Sequence, residues 1–320
     1  MLPTVFDRSR ASLATLALAA LLAACQTAPL SPPPLVPAAS LPAVAGPPAT
    51  VETPATVAPR PLRLPRIGLA LGGGAARGFA HIGVIQVLEE NGIRPDLVVG
   101  TSAGSLVAAM YASGKSGTEL ATMAQTMDEG AITDWAFPGR GLIRGEALAR
   151  YVREQTGGLP IDRMKLPLGI VATDLDNGAA ILFRQGDTGI AVRASSAVPA
   201  VFQPVRIGSR EYVDGGLVSP VPVRFARQMG AELVIAVDIT SPPDGNATGD
   251  PFKILLQTFA IMGKSINQFE LRDADVVLRP SLVGVSSADF SARMKAIQSG
   301  REAAIKLLPE LRLRIRALSH

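Results

Sequence analysis

The five residues Gly100-Thr101-Ser102-Ala103-Gly104 constrain this chain more than any other stretch. The apolar pair Val98-Val99 leads into them and the alanine-rich run Leu106–Ala112 follows. The segment therefore reads as strand, tight turn and helix. A serine on such a turn projects its hydroxyl clear of the backbone, beside the positive end of a helix. Glycines on either side let neighbouring backbone pass close without a side chain in the way. Gly100 and Gly104 would equally permit a plain turn. The strand before and the helix behind are what mark Ser102 as a candidate nucleophile.

A second strand–glycine–helix unit lies upstream. Ile67–Leu71 is a short apolar run suited to a buried strand, Gly72–Gly78 is glycine-rich, and Phe79–Glu90 has helical spacing. Such a loop exposes several backbone N–H groups at a helix N-terminus and so forms an anion site. A P-loop is excluded because no Gly-Lys-Ser/Thr follows. A dinucleotide fingerprint fits poorly: Arg77 stands where its last glycine belongs, and Asp96 precedes the second strand instead of ending it. An oxyanion hole needs only donors beside the nucleophile, and adjacent parallel strands would bring this loop next to Ser102.

The 320 residues allow one large α/β domain or two small ones. Thirty-one basic against 27 acidic residues give a net charge of only +4, with no Lys/Arg run that would mark a nucleic-acid partner. The single cysteine, Cys25, excludes a disulfide framework or a cysteine metal cluster within the chain. It closes a segment that reads as an export signal: Arg8 and Arg10, then the apolar run Ala11–Ala24. Leu22-Ala23-Ala24-Cys25 resembles a bacterial lipobox, in which the cysteine becomes a lipidated N-terminus. Gln26 then points to the outer membrane by the usual sorting rule. Residues 25–62, rich in Pro and Ala, read as an extended tether. The folded domain is expected over 63–320, its first strand beginning near Arg66.

Further helices are expected over Gly117–Asp128, Gly145–Gln155, Val223–Met229, Pro251–Phe269 and Ala288–Leu308. Leu168–Leu175 and Ala179–Phe183 read as a hairpin around Asp176-Asn177-Gly178, which makes Asp176 a turn residue and Asp174 structural. Trp135, Phe137 and Pro138 are assigned to packing, and Ser195 and Ser196 to caps or turns. The basic residues of the final helix read as a solvated face. Tyr212-Val213-Asp214-Gly215-Gly216 presents an acid at a strand end, read either as a plain Asp-Gly turn or as a carboxylate at the edge that carries Ser102.

A serine hydroxyl needs a proton acceptor, and only His81 and His320 are on offer among histidines. His320 ends the sequence, where exact placement is costly. His81 precedes the serine and matches no triad order built on an elbow. A carboxylate acting directly on Ser102 remains.

Taken together, the loop Gly72–Gly78 with Arg77, the elbow Gly100–Gly104, the block Ala194–Pro204 and the stretch Tyr212–Gly216 resemble, in order, the patatin-like phospholipase family. The resemblance covers about residues 66–240. It implies a three-layer α/β/α fold with a mainly parallel sheet and a Ser102–Asp214 dyad followed by Gly215 and Gly216. It also implies an oxyanion hole from the glycine-rich loop, here Gly73, Gly74, Ala75 and Arg77. Two alanines separate Gly74 from Arg77 where many members have one residue, which shifts the donor register by up to one position. The implied activity is hydrolysis of lipid acyl esters, phospholipid or lysophospholipid, without metal or cofactor. A non-catalytic lipid-binding lipoprotein and a general carboxylesterase are the alternatives.

Overall fold

The computed structural model describes residues 63–135, 140–240, 251–286 and 290–319. The signal, Cys25 and tether readings, Phe137, Pro138 and His320 lie outside the described residues. The strands are β1 (Ile67–Leu71), β2 (Leu97–Thr101), β3 (Gly141–Ile143), β4 (Leu168–Asp174), β5 (Ala180–Phe183), β6 (Ala200–Phe202), β7 (Val205–Ile207), β8 (Arg210–Asp214), β9 (Leu233–Val237) and β10 (Val276–Leu278). The helices are α1 (Phe79–Glu90), α2 (Ala103–Ala112), α3 (Gly117–Thr126), α4 (Glu146–Gln155), α5 (Thr188–Ser195), α6 (Val223–Gln228), α7 (Pro251–Glu270) and α8 (Arg293–Leu318).

The main sheet runs β10-β9-β1-β2-β4-β8-β7, with β5 on β4, and β3 pairs separately with β6. Pairings from β10 through β4 are parallel, while β5, β7 and β8 join antiparallel. The central strands are apolar on both faces because both are covered. Leu69, Leu71, Val98, Ile235 and Val237 pack toward α1, α2 and α8, whereas Ala70, Leu97, Val99, Val234 and Ala236 pack toward α6. This is the expected α/β architecture with a mainly parallel sheet between helical layers.

Helix α8 begins later than expected and runs ten residues further, through Pro309. Proline removes a backbone donor and ordinarily stops a helix. Here Leu311 is buried beyond it, and Leu307, Leu308 and Ile315 pack against the core. Tertiary packing outweighs the local preference. The same helix crosses α1 closely enough that a Cβ on Gly83 would lie 1.9 Å from the Ile297 carbonyl oxygen. Trp135, expected to pack, is instead 73% exposed.

Strand β4 decides the geometry of the site. β5 occupies one edge of residues 170–173, so β2 and β8 must share the other. β2 climbs that edge and ends with Thr101 opposite Val171. β8 descends it and ends with Asp214 opposite Ala172. The two strand ends meet head-on.

Candidate active site

The meeting point brings two side chains together. Ser102 Oγ donates a 2.7 Å hydrogen bond to Asp214 Oδ2, across 112 residues of sequence. The other carboxylate oxygen of Asp214 accepts from Gly216 N–H at 2.7 Å. Burial pushes the Asp214 carboxyl up to about 6, against the opposing pull of the Gly216 N–H and the Ser102 hydroxyl. No ion pair to Asp214 occurs among the described residues. A carboxylate that is desolvated yet still ionised near neutral pH is a far better proton acceptor than one in water.

Ser102 itself sits at φ 53°, ψ −126°, a conformation costly for a residue with a side chain. Such strain costs about 1–3 kcal/mol and persists only where surroundings enforce it. The surroundings are identifiable. A Cβ on Gly100 would lie 2.3 Å from the Gly104 carbonyl oxygen, and one on Gly104 would lie 2.1 Å from that of Leu71 in β1. Both glycines are therefore required by close backbone approach. Ser105 Oγ and N–H both donate to the Ser102 carbonyl, at 2.6 and 2.8 Å.

Two supports were not legible in the sequence. Ser195, fully buried at the end of α5, accepts the Ser102 N–H at 2.8 Å and donates its own proton to the Val171 carbonyl at 2.6 Å. It thus ties the elbow to β4. Its signal was a hydroxyl on the same helix face as Ala191 and Val192, where a cap would have no function. Neighbouring Ser219 and Pro220 form the second support. The Ser219 carbonyl accepts from the Thr101 hydroxyl, and the Pro220 carbonyl accepts from the Gly73 N–H, each at 2.9 Å.

The glycine-rich loop lies against the elbow, with Gly73 so near that a Cβ there would be 3.0 Å from Ser102 Cβ. Its donors are not equivalent. The N–H groups of Gly73 and Arg77 are already given to Pro220 and Gly74 carbonyls. Those of Gly74 and Ala75 have no hydrogen-bond partner among the described residues, at the start of the helical turn that leads into α1. Arg77 is buried and donates Nε to the Val285 carbonyl at 2.9 Å, the contact of a brace.

His81 is buried in α1 and its Nε2 donates to the Gly72 carbonyl at 2.8 Å. Burial depresses its pKa to about 4, so the ring is neutral at physiological pH. It holds the loop and makes no hydrogen bond to Ser102. No cluster of three or more potential metal ligands occurs among the described residues.

The fold and site together define an α/β domain with an elbow serine facing a buried aspartate beneath a glycine-rich loop. Residues 69–227 match the family model for patatin-like phospholipase. An NTE family protein of Mycobacterium bovis is 36% identical over 200 residues, covering 62% of this chain and 55% of that protein. Mouse patatin-like phospholipase domain-containing protein 6 is 31% identical over 231 residues, 69% of this chain but 16% of that one. The chain thus matches about half, or less, of these relatives' length. VipD from Legionella pneumophila shares the fold at a TM-score of 0.52 and 16% identity, covering 77% of this chain and 67% of VipD.

Proposed function

We propose that this chain hydrolyses acyl esters of lipids, phospholipid or lysophospholipid, through Ser102 and Asp214. The observation that carries the reading is the 2.7 Å bond between a strained serine hydroxyl and a buried carboxylate with a raised pKa. Likeness to patatin-like phospholipases supports a lipid as the acyl donor.

In the first step Asp214 takes the Ser102 proton as Oγ attacks the acyl carbonyl carbon. The Gly74 and Ala75 N–H groups, without a partner among the described residues, receive the developing oxyanion, each contributing about 3–4 kcal/mol if well aimed. Collapse of this intermediate breaks the ester bond, and the departing alkoxide takes the proton from Asp214. Water then attacks the acyl-serine, giving its proton to Asp214. The second tetrahedral intermediate releases the fatty acid, and Ser102 regains the proton. Side chains, loop amides and water suffice for these steps, with no cofactor.

The purified full chain should cleave a p-nitrophenyl acyl ester and label on Ser102 with a fluorophosphonate. Turnover retained in Asp214→Asn, or labelling elsewhere, would overturn the dyad. Absence of any ester hydrolysis across a phospholipid and lysophospholipid panel would favour a lipid-binding role without turnover. We read Cys25 as the acylated anchor of a protein in the bacterial cell envelope, facing lipid from the outer membrane. An intact-mass shift lost in Cys25→Ser, with fractionation of the tagged protein, tests both parts.

A further inference from the structure

At the far end of the sheet from Ser102 lies a second concavity that ester hydrolysis does not use. It has a volume of about 620 Å³ and forms where the chain enters β1, where the α1–β2 turn passes, and where α8 ends. Arg63, Arg66, Arg94, Arg312 and Arg316 line it, and Asp96 is the only acid among the described residues that do. These residues come from three separate stretches of sequence, so the concentration of charge is a product of folding.

The arginines play different parts. Arg63 forms a two-pronged pair with Glu232, at 3.0 and 2.7 Å, and Arg312 donates to the Asn91 side chain at 2.9 Å. These two are fixed as walls. The side chains of Arg94 and Arg316 have no hydrogen bond or ion pair among the described residues, whereas that of Arg66 lies over Gly230, where a Cβ would come 2.9 Å from its Nη1. The Asp96 side chain is held in place by the Ile67 N–H, which donates to its Oδ2 at 2.7 Å. Ile93 and Ile315 supply an apolar floor.

Like charges gathered in one concavity repel, and a solvated face would spread them. Guanidinium groups present planar forks of donors that match phosphate oxygens, and several can share one phosphate. The volume falls within the range of small-ligand sites, roughly 300–1,000 Å³. We propose that this concavity binds a phosphate-bearing anion, held by Arg94 and Arg316 between the walls made by Arg63 and Arg312. The phosphate belongs either to a soluble compound or to a lipid headgroup, and the site is independent of the Ser102 chemistry.

The test uses the full chain carrying Cys25→Ser, so that no acyl anchor contributes. Inorganic pyrophosphate is titrated calorimetrically at fixed ionic strength. Vesicles of ether-linked phosphatidylglycerol in phosphatidylcholine, which offer headgroups but no cleavable ester, are used in sedimentation. The Arg94→Gln/Arg316→Gln variant removes two liganding groups, and Arg150→Gln/Arg184→Gln removes the same charge from exposed positions elsewhere. Saturable pyrophosphate binding, weakened about tenfold or more in the first variant and unchanged in the second, supports a site for a soluble phosphate compound. The same pattern with phosphatidylglycerol vesicles alone supports a headgroup site. Hydrolysis of a p-nitrophenyl ester should be equal in all three proteins. Absence of both kinds of binding, or equal weakening in the two variants, would overturn the proposal.

Discussion

Two aspartates end adjacent strands of this sheet, and their surroundings drive them in opposite directions. Asp174, at the top of β4, is shielded from solvent and paired with Arg210 of β8. It also accepts the Asp176 N–H at 2.9 Å, closing the β4–β5 turn. The Arg210 bond, aided by these turn contacts, holds its carboxyl below the usual range. Asp214, at the other end of β8, is buried against a hydroxyl and one amide, and burial pushes it up to about 6. The largest difference is the cation that Asp174 has and Asp214 lacks among the described residues. A carboxylate with a guanidinium in hand is a structural anion, while one denied a cation is ready to take a proton.

Asp214→Asn and Ser102→Ala should each lower kcat by about 10⁴-fold or more with far-UV dichroism unchanged, whereas Asp174→Asn should leave kcat within about tenfold. Comparable losses in Asp174→Asn would erase the distinction.

The next test is pH. Ester hydrolysis requires ionised Asp214, so kcat/KM should fall about tenfold per unit as pH drops below about 6. Stability should respond with opposite signs at the two corners. The raised carboxyl of Asp214 contributes stability that is full below its unfolded value and lost as pH rises through about 6. The lowered carboxyl of Asp174 contributes stability present above its unfolded value and lost as pH falls through its folded one. Thermal midpoints at pH 8 should therefore rise in Asp214→Asn and fall in Asp174→Asn. A shared direction would show that the cation is not the deciding difference.

A smaller effect sharpens the account of how Ser102 is held. Ser195→Ala leaves the Ser102 N–H and the Val171 carbonyl without their partner and should lower kcat about tenfold, with KM nearly unchanged. An unaltered pH midpoint would separate this positioning role from an effect on Asp214. The smallest change in activity belongs to Arg210→Ala, which should lower the thermal midpoint while kcat stays within about twofold.

Much of this was legible from residue order alone, for particular reasons. The elbow, the glycine-rich loop and the Asp-Gly strand end are local: each needs special backbone geometry that glycine supplies, so each leaves a trace in the residue types. The hairpin at Asp176-Asn177-Gly178 is legible for the same cause, and Gly178 adopts φ 72° there. Trp135 misled because aromatic residues are usually packed, yet none of the described residues covers this one. Helix α8 misled because Pro309 is a local stop signal overridden by distant packing.

The amino-acid order by itself determined which residue types stand at which local turns, and hence that Ser102 sits on an elbow and Asp214 at a strand end. Only the tertiary structure decided that β2 and β8 would share one edge of β4, aiming those two groups at each other. It alone placed Ser195 beneath the elbow and gathered five arginines around one concavity. The physical reason is range. Backbone geometry is set by neighbours in the chain, whereas burial, hydrogen-bond partners and electric field are set by neighbours in space.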